Sequence, residues 1–382
     1  MATATEPLIE SPLARLSDDE IEQLGKEFDK IHDEVFAELG DRDRKYIVSM
    51  IEMHRRLVVM GRVLLFFSRY KPAWAAGTAT LSLAKILENM EIGHNVMHGQ
   101  WDWMNDPDIH SSSWDWDTAS TAEAWKHSHN YVHHTFTNIR GKDKDLGYEI
   151  MRIDPHQKWH PVYLMQPLYN LLLMGFFEWG VAFHDMDLEA HRKGEKSNKE
   201  MLHDLKGIWG KARDQIVKDY IAFPALSAIA FRKRGFKATL AANFTANIVR
   251  NVWAHSIIFC GHFPDQTYTF SQEETEDESR GGFYVRQLLG AANIEGSPLF
   301  HVISGNLGYQ VEHHLYPDMP STRYGEIAPR VKDICERYGL PYNSGPLSKQ
   351  LGMVHRTILR LAFPGGKPRP KPGPYRSSGD EG

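Results

Sequence analysis

The sequence predicts an all-α integral membrane protein that enters the bilayer as two helical hairpins. Three observations support this prediction. Apolar residues recur at helical spacing near the N-terminus, long apolar stretches follow along the chain, and three histidine-rich motifs stand beside those stretches. The length of 382 residues allows one large domain or two modest ones.

Composition excludes several classes of protein. The 44 basic and 49 acidic side chains leave a net charge of −5, without the concentrated basic face that nucleic-acid binding requires. Two cysteines, Cys260 and Cys335, are too few for an iron–sulfur cluster, which takes about four thiolates. They also argue against a disulfide scaffold and favour a reducing compartment. The first 30 residues lack the pattern of a signal peptide.

The first predicted element is an amphipathic helix that begins after Ser17. Ser17 and Glu20 form the spacing of a capping box. The apolar residues at helical spacing behind it are Ile21, Leu24, Phe28, Ile31, Val35 and Leu39. We expect the helix to end at Gly40 and to pack on the protein or rest on a membrane surface. Residues 1–45 are therefore treated as an N-terminal amphipathic segment.

Two apolar stretches, 57–70 and 72–90, are typical of a short helical hairpin through a bilayer. Neither contains the roughly 20 clean apolar residues of a usual transmembrane helix. Arg62 and Lys85 would need to snorkel or to face the protein interior. The mean hydropathy of −0.45 keeps a soluble alternative open for this pair.

A second hairpin is predicted from residues 161–183, interrupted only by Glu178, and residues 238–259. Between them, the apolar segment 220–231 is too short to span a bilayer as a helix, so we interpret it as interfacial or re-entrant. All three histidine motifs can share one side of the membrane only if an even number of crossings separates them. Two hairpins satisfy this condition, and a crossing by 220–231 would break it.

The histidine motifs read HNVMH at 94–98, HNYVHH at 129–134 and QVEHH at 310–314. Histidines four residues apart share one face of a helix, so each motif can present two imidazoles to a common point. A single HxxxH is weak evidence, but three such clusters indicate a site for iron, zinc, copper or nickel. Seven imidazoles exceed the three or four that one zinc needs, which favours two metals.

The remaining histidines differ in how well their positions support metal binding. His127 points about 200° away from the candidate ligand two residues later, so we expect it not to bind metal. His262 follows the last apolar segment and is the best candidate for an additional ligand. His301 comes next, with weaker support. His110 and His255 are interpreted as ordinary histidines.

The three motifs resemble the histidine boxes HxxxH, HxxxHH and QxxHH of membrane fatty-acyl desaturases. The resemblance covers about residues 45–350. The stretch SGNLGYQVEHHLYPDMPS, at 304–321, is similar to the linoleoyl-CoA desaturase-like branch of this family. The stretch ENMEIGHNVMHGQWDWMNDP, at 88–107, resembles actinobacterial acyl-CoA desaturases that act at position 9 of stearoyl chains.

This resemblance implies about four transmembrane helices and a cytoplasmic helical cap that holds two Fe²⁺ ions. The implied metal ligands are His94, His98, His129, His133, His134, His262, His313 and His314. Residues 46–350 would form the membrane domain, and 351–382 a C-terminal tail, disordered from about residue 364. Gln310 departs from the branch that carries histidine there, so whether its amide touches a metal or orients a neighbour stays open.

The activity implied is the O₂-dependent introduction of a cis double bond into a long-chain fatty acyl-CoA, at position 9 of a saturated chain. The multi-pass protein would have its active site on the cytoplasmic side. The sequence lacks a GxGxxG fingerprint, so a separate NADPH-dependent reductase or ferredoxin-type donor is expected to supply electrons. The alternatives are a membrane di-iron hydroxylase of an alkyl or terpenoid chain and a zinc-binding membrane receptor or scaffold.

Side chains around the motifs carry further expectations. Acids near enough to accept a hydrogen bond from a ligating imidazole are Glu91, Asp102, Asp106, Asp108 and Glu312. Tryptophans expected mostly at the membrane interface, or else along the acyl tunnel, are Trp101, Trp103, Trp114 and Trp116. Cations that would meet a CoA phosphate or an acidic partner, or else form a solvated face, are Lys126, Arg140, Lys142 and Lys144.

Overall fold

A computed structural model describes residues 15–365, and these residues are mostly helical, which confirms the all-α prediction. Most of the predicted disordered tail lies outside the described residues. Within residues 15–365, none of the helices is both long enough and apolar enough to traverse a membrane. The helices assemble into a group of long antiparallel helices and a cap, and the histidine motifs lie between the two.

The N-terminal helix α1 (Asp18–Ala37) begins at the predicted capping box. The backbone N–H of Ser17 donates to the Glu20 carboxylate at 3.0 Å, and the Glu20 N–H donates back to the Ser17 hydroxyl at 3.3 Å. Its apolar face, including Leu24 and Phe28, is completely buried. The helix therefore packs on the protein, which was the first of the two predicted placements.

The first predicted hairpin consists of α2 (Asp41–Phe66) and α3 (Lys71–Ile86), joined by a four-residue turn. The two helices approach closely at Gly77, because a Cβ there would lie 2.8 Å from the Cγ of Leu65. Arg62 and Lys85 face the protein interior. Their cationic groups lie 2.5 and 2.8 Å from the two carboxylate oxygens of Asp219.

The first two histidine motifs lie on π-helical segments. One segment, Leu87–His94, continues α3 and leads into α4 (Asn95–Met97). The other, Lys126–His133, stands between α5 (Ala122–Trp125) and α6 (His134–Phe136). A π-helix bonds residue i to residue i+5, and such segments are frequent at functional sites.

The apolar run 161–183 does not form the single helix that was predicted. It divides into a 3₁₀ turn (Pro161–Met165), α7 (Gln166–Gly175) and α8 (Phe177–Asp185). Each α-helix has about ten residues and is roughly 15 Å long, half the thickness of a bilayer core. Hydropathy alone did not reveal the break, which occurs where Phe176 leaves helical geometry.

The region 188–262 contains the second hairpin. It starts with α9 (Leu188–Lys193), then α10 (Asn198–Gln215), which a π-helical segment links to α11 (Phe223–His262). Arg232 breaks α11, with φ 51° and ψ −144°, and the chain reverses there. After the break, Asn247 Nδ2 donates to the Tyr220 hydroxyl at 2.8 Å. Segment 220–231 thus belongs to a long helical arm, and its interfacial or re-entrant placement stays a prediction.

The cap contains the remaining regular elements. These are α12 (Arg280–Gly290), β1 (Asn293–Glu295), α13 (Pro298–Ile303), α14 (Gln310–Leu315), α15 (Tyr324–Arg337), β2 (Ser344–Pro346) and α16 (Leu347–Leu361). The two short strands pair in parallel. Further 3₁₀ turns are Asp102–Met104, Leu146–Glu149, Glu273–Thr275, Leu307–Tyr309 and Ser321–Arg323. The boundary predicted at residue 350 falls inside α16, whose apolar face is buried.

The largest apolar core lies in the cap and fixes the third histidine motif. Phe28 of α1, Tyr284 of α12 and Tyr324 of α15 are fully buried in it, together with Val311 of α14. The Tyr316 hydroxyl donates to the Phe28 carbonyl at 2.9 Å. Helices α1, α12 and α15 thus hold α14, and with it the pair of histidines that α14 presents.

Candidate metal centre

The histidine motifs, distant in sequence, meet at one place between the cap and the long helices. One group of candidate ligand atoms, all within 4.8 Å of one another, comes from His94, His98, His129 and His313. A second group, within the same limit, comes from His133, His262 and His314. All three predicted motifs and the predicted additional histidine therefore contribute to the cluster.

His134 lies between the two groups. Its ring centroid is 4.7 Å from that of His98 and 4.9 Å from that of His313, in the first group. It is also 4.5 Å from the ring of His314, in the second. α-Helical spacing predicts that His134 points about 100° away from His133. In the π-helical segment both residues turn towards the face of His129, because the bonding repeat is five residues.

The same ring nitrogen, Nε2, lacks a hydrogen-bond partner within the described chain in most histidines of this cluster. No hydrogen bond in residues 15–365 reaches the Nε2 atoms of His98, His129, His133, His134, His313 and His314. Buried polar atoms are almost always hydrogen-bonded, and each exception calls for an explanation. Nitrogen lone pairs that point to a common place are what a metal ion requires. The residues therefore fit a metal centre.

Several Nδ1 atoms of the same rings do have partners. His133 Nδ1 lies 3.1 Å from both carboxylate oxygens of Asp143, and His129 Nδ1 lies 3.3 Å from Asp145. His314 Nδ1 lies 3.0 Å from the Gln287 amide oxygen. Such outer contacts fix the ring orientation and leave the opposite nitrogen free for a metal.

The predicted outer acids were wrong. Glu91 accepts a hydrogen bond from Tyr46 at 2.7 Å, and Glu312 accepts one from Tyr342 at 2.7 Å. Asp102 accepts from Ser111, Asp106 pairs with Arg44, and Asp108 is exposed. None of the contacts found in residues 15–365 joins these acids to a candidate ligand. The missed carboxylates, Asp143 and Asp145, lie in the run KDKD just after the second motif.

Burial keeps most of the cluster neutral. It lowers the pKa of His94 to about 3, with a further contribution from His129. Burial likewise holds the pKa values of His98, His313 and His314 well below the usual range. A neutral imidazole is the form that binds metal, so these rings are ready to bind without releasing a proton.

Gln310 stands beside the second group of ligand atoms. Its Nε2 lies 3.2 Å from His262 Nε2, and its Oε1, although buried, has no hydrogen-bond partner in the described chain. The backbone of Gly261 touches the same side chain, because a Cβ there would lie 2.7 Å from Gln310 Cγ. The amide is therefore held against a candidate ligand.

The other histidines named in the sequence analysis lie outside the cluster, including His301, which was kept there as a weaker candidate ligand. His301 stacks on Tyr309 with a centroid distance of 4.1 Å. His255 Nε2 lies 3.0 Å from the Asn170 amide oxygen. His127 and His110 are not among the grouped ligand atoms either. His184, which the sequence analysis overlooked, lies 2.9 Å from Asp145 and so belongs to the outer contacts.

A largely apolar cavity reaches the cluster, with an empty volume of about 760 Å³ counted to its mouth. His94, His129, His262 and Gln310 form one part of its wall. Its apolar and aromatic lining includes Met90, Trp116, Trp125, Phe177, Val181, Ile258 and Leu307. Such a cavity, with a few convergent polar groups, is typical of a small-molecule site.

The tryptophan prediction was wrong for two of its four residues. Trp101 is fully buried in an apolar core, and Trp116 lines the cavity with 6% of its surface exposed. Neither side chain can lie at a membrane interface. The interpretation of these tryptophans as tunnel lining is therefore the better one for Trp116.

The cations near the second motif mostly have partners in the protein. Lys126 donates to the Ser111 carbonyl at 2.9 Å, and Lys144 pairs with Asp187. Arg140 lies 3.4 Å from Asp154. Two of the four cations considered for a CoA phosphate, Lys144 and Arg140, are thus paired with carboxylates, whereas Lys126 meets a neutral carbonyl and Lys142 is exposed, over the Phe136 ring.

Comparison with known proteins identifies the class. The fatty acid desaturase family profile matches residues 72–346. The chain is 45% identical to the NADPH-dependent stearoyl-CoA 9-desaturase of Mycobacterium tuberculosis (strain ATCC 25618 / H37Rv), over 92% of this chain and 82% of that protein. It is 27% identical to Delta(5) fatty acid desaturase A of Dictyostelium discoideum, over 73% of this chain and 61% of that protein. The chain therefore belongs to the fatty acid desaturase family, which confirms the resemblance.

Proposed function

We propose that this chain is an O₂-dependent di-iron desaturase that introduces a cis double bond at position 9 of a saturated long-chain fatty acyl-CoA. The observation that carries the proposal is the convergence of eight histidines beside an apolar cavity, whose wall includes His94, His129 and His262. The relative that is 45% identical over most of the chain is named a stearoyl-CoA 9-desaturase, which supports the substrate and the position.

The proposed ligands are His94, His98, His129, His133, His134, His262, His313 and His314. Bound iron would supply the oxidising power to remove hydrogen from an unactivated methylene pair, which no side chain supplies. Asp143 and Asp145 orient the imidazoles of the second motif. The aromatic lining, with Trp125 and Phe177, holds the acyl chain and keeps water away from it.

The reaction requires an external reductant. One saturated chain, one O₂, two electrons and two protons give one unsaturated chain and two waters. Cys260 and Cys335 are both buried, single thiols that offer no redox pair. A separate NADPH-dependent reductase or ferredoxin-type protein is the proposed donor. The NADPH dependence named for the mycobacterial relative supports the first of these.

The proposed setting is a lipid bilayer, with the metal centre on its cytoplasmic side. Large apolar side chains that the fold leaves exposed include Val59, Met60, Val63, Phe67, Leu168, Leu171, Leu172, Phe176, Ile221, Leu226, Ile229 and Phe244. They lie mainly on α2, on α7 and on the two arms around Arg232. We propose that the two hairpins, α2–α3 and the arms on either side of Arg232, enter the bilayer. Two crossings then precede the first motif and two more lie between the second motif and His262, so all the histidines emerge on one side.

Expression in a desaturase-deficient host, with a reductase supplied, tests the activity. We expect a new monounsaturated acyl chain, and none from a His133→Ala variant. His127→Ala is the matched control, because His127 is exposed and outside the cluster. Mass spectrometry distinguishes the loss of two hydrogens from the gain of one oxygen, which would indicate a hydroxylase. An unchanged lipid profile with folded, iron-loaded protein would overturn the proposal.

A further inference from the structure

The two turns at the end of the hairpins away from the histidines form one surface, here called the tip. It consists of residues 67–71 and 229–238. Trp74 Nε1 donates to the Ala238 carbonyl at 3.0 Å, and the Ser227 hydroxyl donates to the Phe66 carbonyl at 2.9 Å. The Phe231 ring packs on Tyr70 with a centroid distance of 5.8 Å. These contacts join two turns that are distant in sequence.

The tip carries unbalanced positive charge. Its cations are Arg69, Lys71, Arg232, Lys233, Arg234 and Lys237, and all six are exposed. No ion pair or hydrogen bond of these side chains occurs within residues 15–365. The sequence has no acidic residue between Glu52 and Glu88, or between Asp219 and Asp265. No acidic side chain of the described residues therefore neutralises the positive charge of the tip.

The backbone at Arg232 is in a conformation that a residue with a side chain rarely adopts, with φ 51° and ψ −144°. The chain reverses sharply beside it, and Gly235 permits the close approach. A Cβ at Gly235 would lie 2.6 Å from the Ser227 carbonyl oxygen. The reversal places three consecutive cations, 232–234, at the exposed end of the hairpin, and such strain persists only where surroundings enforce it.

An apolar groove adjoins the tip. Val63, Phe66 and Phe67 of α2 form one wall, and Phe223 and Leu226 form the other. Its empty volume is about 730 Å³, counted to its mouth. At the deep end, Arg62 is balanced by Asp219, so the groove itself presents little net charge. A cationic rim beside a narrow apolar groove matches a molecule with an anionic head and a hydrocarbon tail.

The position of the tip argues against the CoA of the proposed reaction as its ligand. The helix from Lys71 to His94 rises by roughly 30 Å. In the proposed membrane setting the tip and the histidines lie on opposite sides of the bilayer, so an acyl-CoA that reaches the histidines from the cytoplasmic side would not place its phosphates at the tip. The remaining source of an anionic head with a hydrocarbon tail is the bilayer itself.

We propose that the tip and the groove together bind one anionic phospholipid, with its phosphate on the cationic rim and one acyl chain in the groove. This proposal rests on the membrane setting proposed above, and not on the desaturation reaction. Basic residues at a membrane surface attract anionic lipids, and the groove adds a contact that a flat basic patch lacks. The site faces the leaflet opposite to the histidines.

The test measures lipid directly. Full-length protein is purified in detergent, stripped of lipid and titrated with phosphatidylglycerol or phosphatidylcholine, and bound lipid is counted by native mass spectrometry. We expect about one phosphatidylglycerol per chain. The variant Arg232→Gln/Lys233→Gln/Arg234→Gln should bind it roughly 100-fold more weakly. The control, Lys45→Gln/Lys199→Gln/Lys349→Gln, removes three exposed cations elsewhere and should bind as the wild type does.

A second variant tests the groove. Leu226→Trp keeps every cation and fills the groove, so it should also lose the bound lipid. Equal weakening by the control triple, or full binding by the rim triple or by Leu226→Trp, would overturn the proposal. Displacement by millimolar inorganic phosphate would identify a phosphate site instead, and would also overturn it. Desaturation is measured separately, so wild-type protein that desaturates its substrate but binds no phosphatidylglycerol refutes this proposal alone.

Discussion

Two buried polar regions of this protein differ in whether their atoms have partners. In the long helices, both carboxylate oxygens of Asp219 meet a cation, from Arg62 and Lys85. In the metal centre, the inward nitrogens of rings such as His98 and His313 meet nothing in the described chain. Among the Asp219, Arg62 and Lys85 side chains, Arg62 Nε alone is buried without a hydrogen-bond partner in the described residues, whereas the metal centre has many such atoms and is complete only when something binds. Burial alone does not distinguish them, and the pattern of satisfied atoms does.

The largest effect is expected when a ring of the metal centre is removed. His313→Ala takes away an imidazole whose ring lies 4.7 Å from His98 and 4.9 Å from His134. We expect desaturation to fall below detection and bound iron to fall below two per chain, measured by elemental analysis. The control is His301→Ala, because His301 is a buried histidine outside the cluster. If His313→Ala kept both metal and activity, the proposed difference between the metal centre and the Asp219 region would be contradicted.

In the long helices we expect a variant to lose stability and keep its iron, which is the opposite of the result expected at the metal centre. Asp219→Leu leaves Arg62 and Lys85 as buried cations without a counter-ion, which costs about 3–5 kcal/mol of unfolding free energy. We expect a lower denaturation midpoint for metal-free protein in detergent, with unchanged iron per folded chain. Asp33→Asn is the control, because the Asp33 side chain is 82% exposed. A variant that lost iron but kept its stability would show that the two regions are not separate.

An intermediate effect is expected from the outer carboxylates. Asp143 accepts from His133 Nδ1 and from the backbone N–H of Asn138, at 3.1 and 2.7 Å. Asp143→Asn should weaken iron binding roughly 10- to 100-fold, measured by competition with a chelator. Asp154→Asn is the control, because Asp154 is also buried but contacts His156 and Arg140 instead. Equal iron affinity in the two variants would contradict the orienting role of Asp143.

The sequence predicted the centre better than its surroundings. The spacing of the histidines and their apolar neighbours were enough to predict that His94, His129 and His313 meet. Clusters of such ligand residues are otherwise rare, so they are recognisable in a sequence. The outer shell was missed because any acid near a motif is equally plausible in sequence. Only the fold of the loop after His134 brings Asp143 under the His133 ring.

The hairpins show the limit of hydropathy. It ranked 161–183 above 220–231 as a spanning segment, but in the structure the first breaks at Phe176 and the second belongs to a long helical arm. Both outcomes depend on tertiary contacts, such as that of Asn247 with Tyr220. The capping box of α1 was predicted correctly because all of its atoms lie within four residues.

The smallest effect is expected at a polar contact that is partly exposed and whose atoms have hydrogen-bond partners. His32, on α1, stacks on Phe36, and its Nε2 lies 3.4 Å from Asp318 of the cap. The hydrogen bond to Asp318 raises the pKa of His32, because it favours the protonated ring, and partial burial opposes the shift. Compared with the metal centre, the same side chain here gains a proton and not a metal.

The sign of the pH effect follows from that shift. The folded pKa lies above the unfolded value of about 6.5, so the stabilisation is complete below that pH and is lost as pH rises through the folded pKa. For a pair this exposed, we expect at most about 1 kcal/mol. Denaturation between pH 5 and pH 8 measures it. Asp33, whose carboxylate lies 3.3 Å from His32 Nδ1, also raises this pKa. Asp318→Asn should therefore reduce the slope of this part of the profile, and adding His32→Ala should remove what remains. A slope that persists in the double variant would assign the pH dependence to another group.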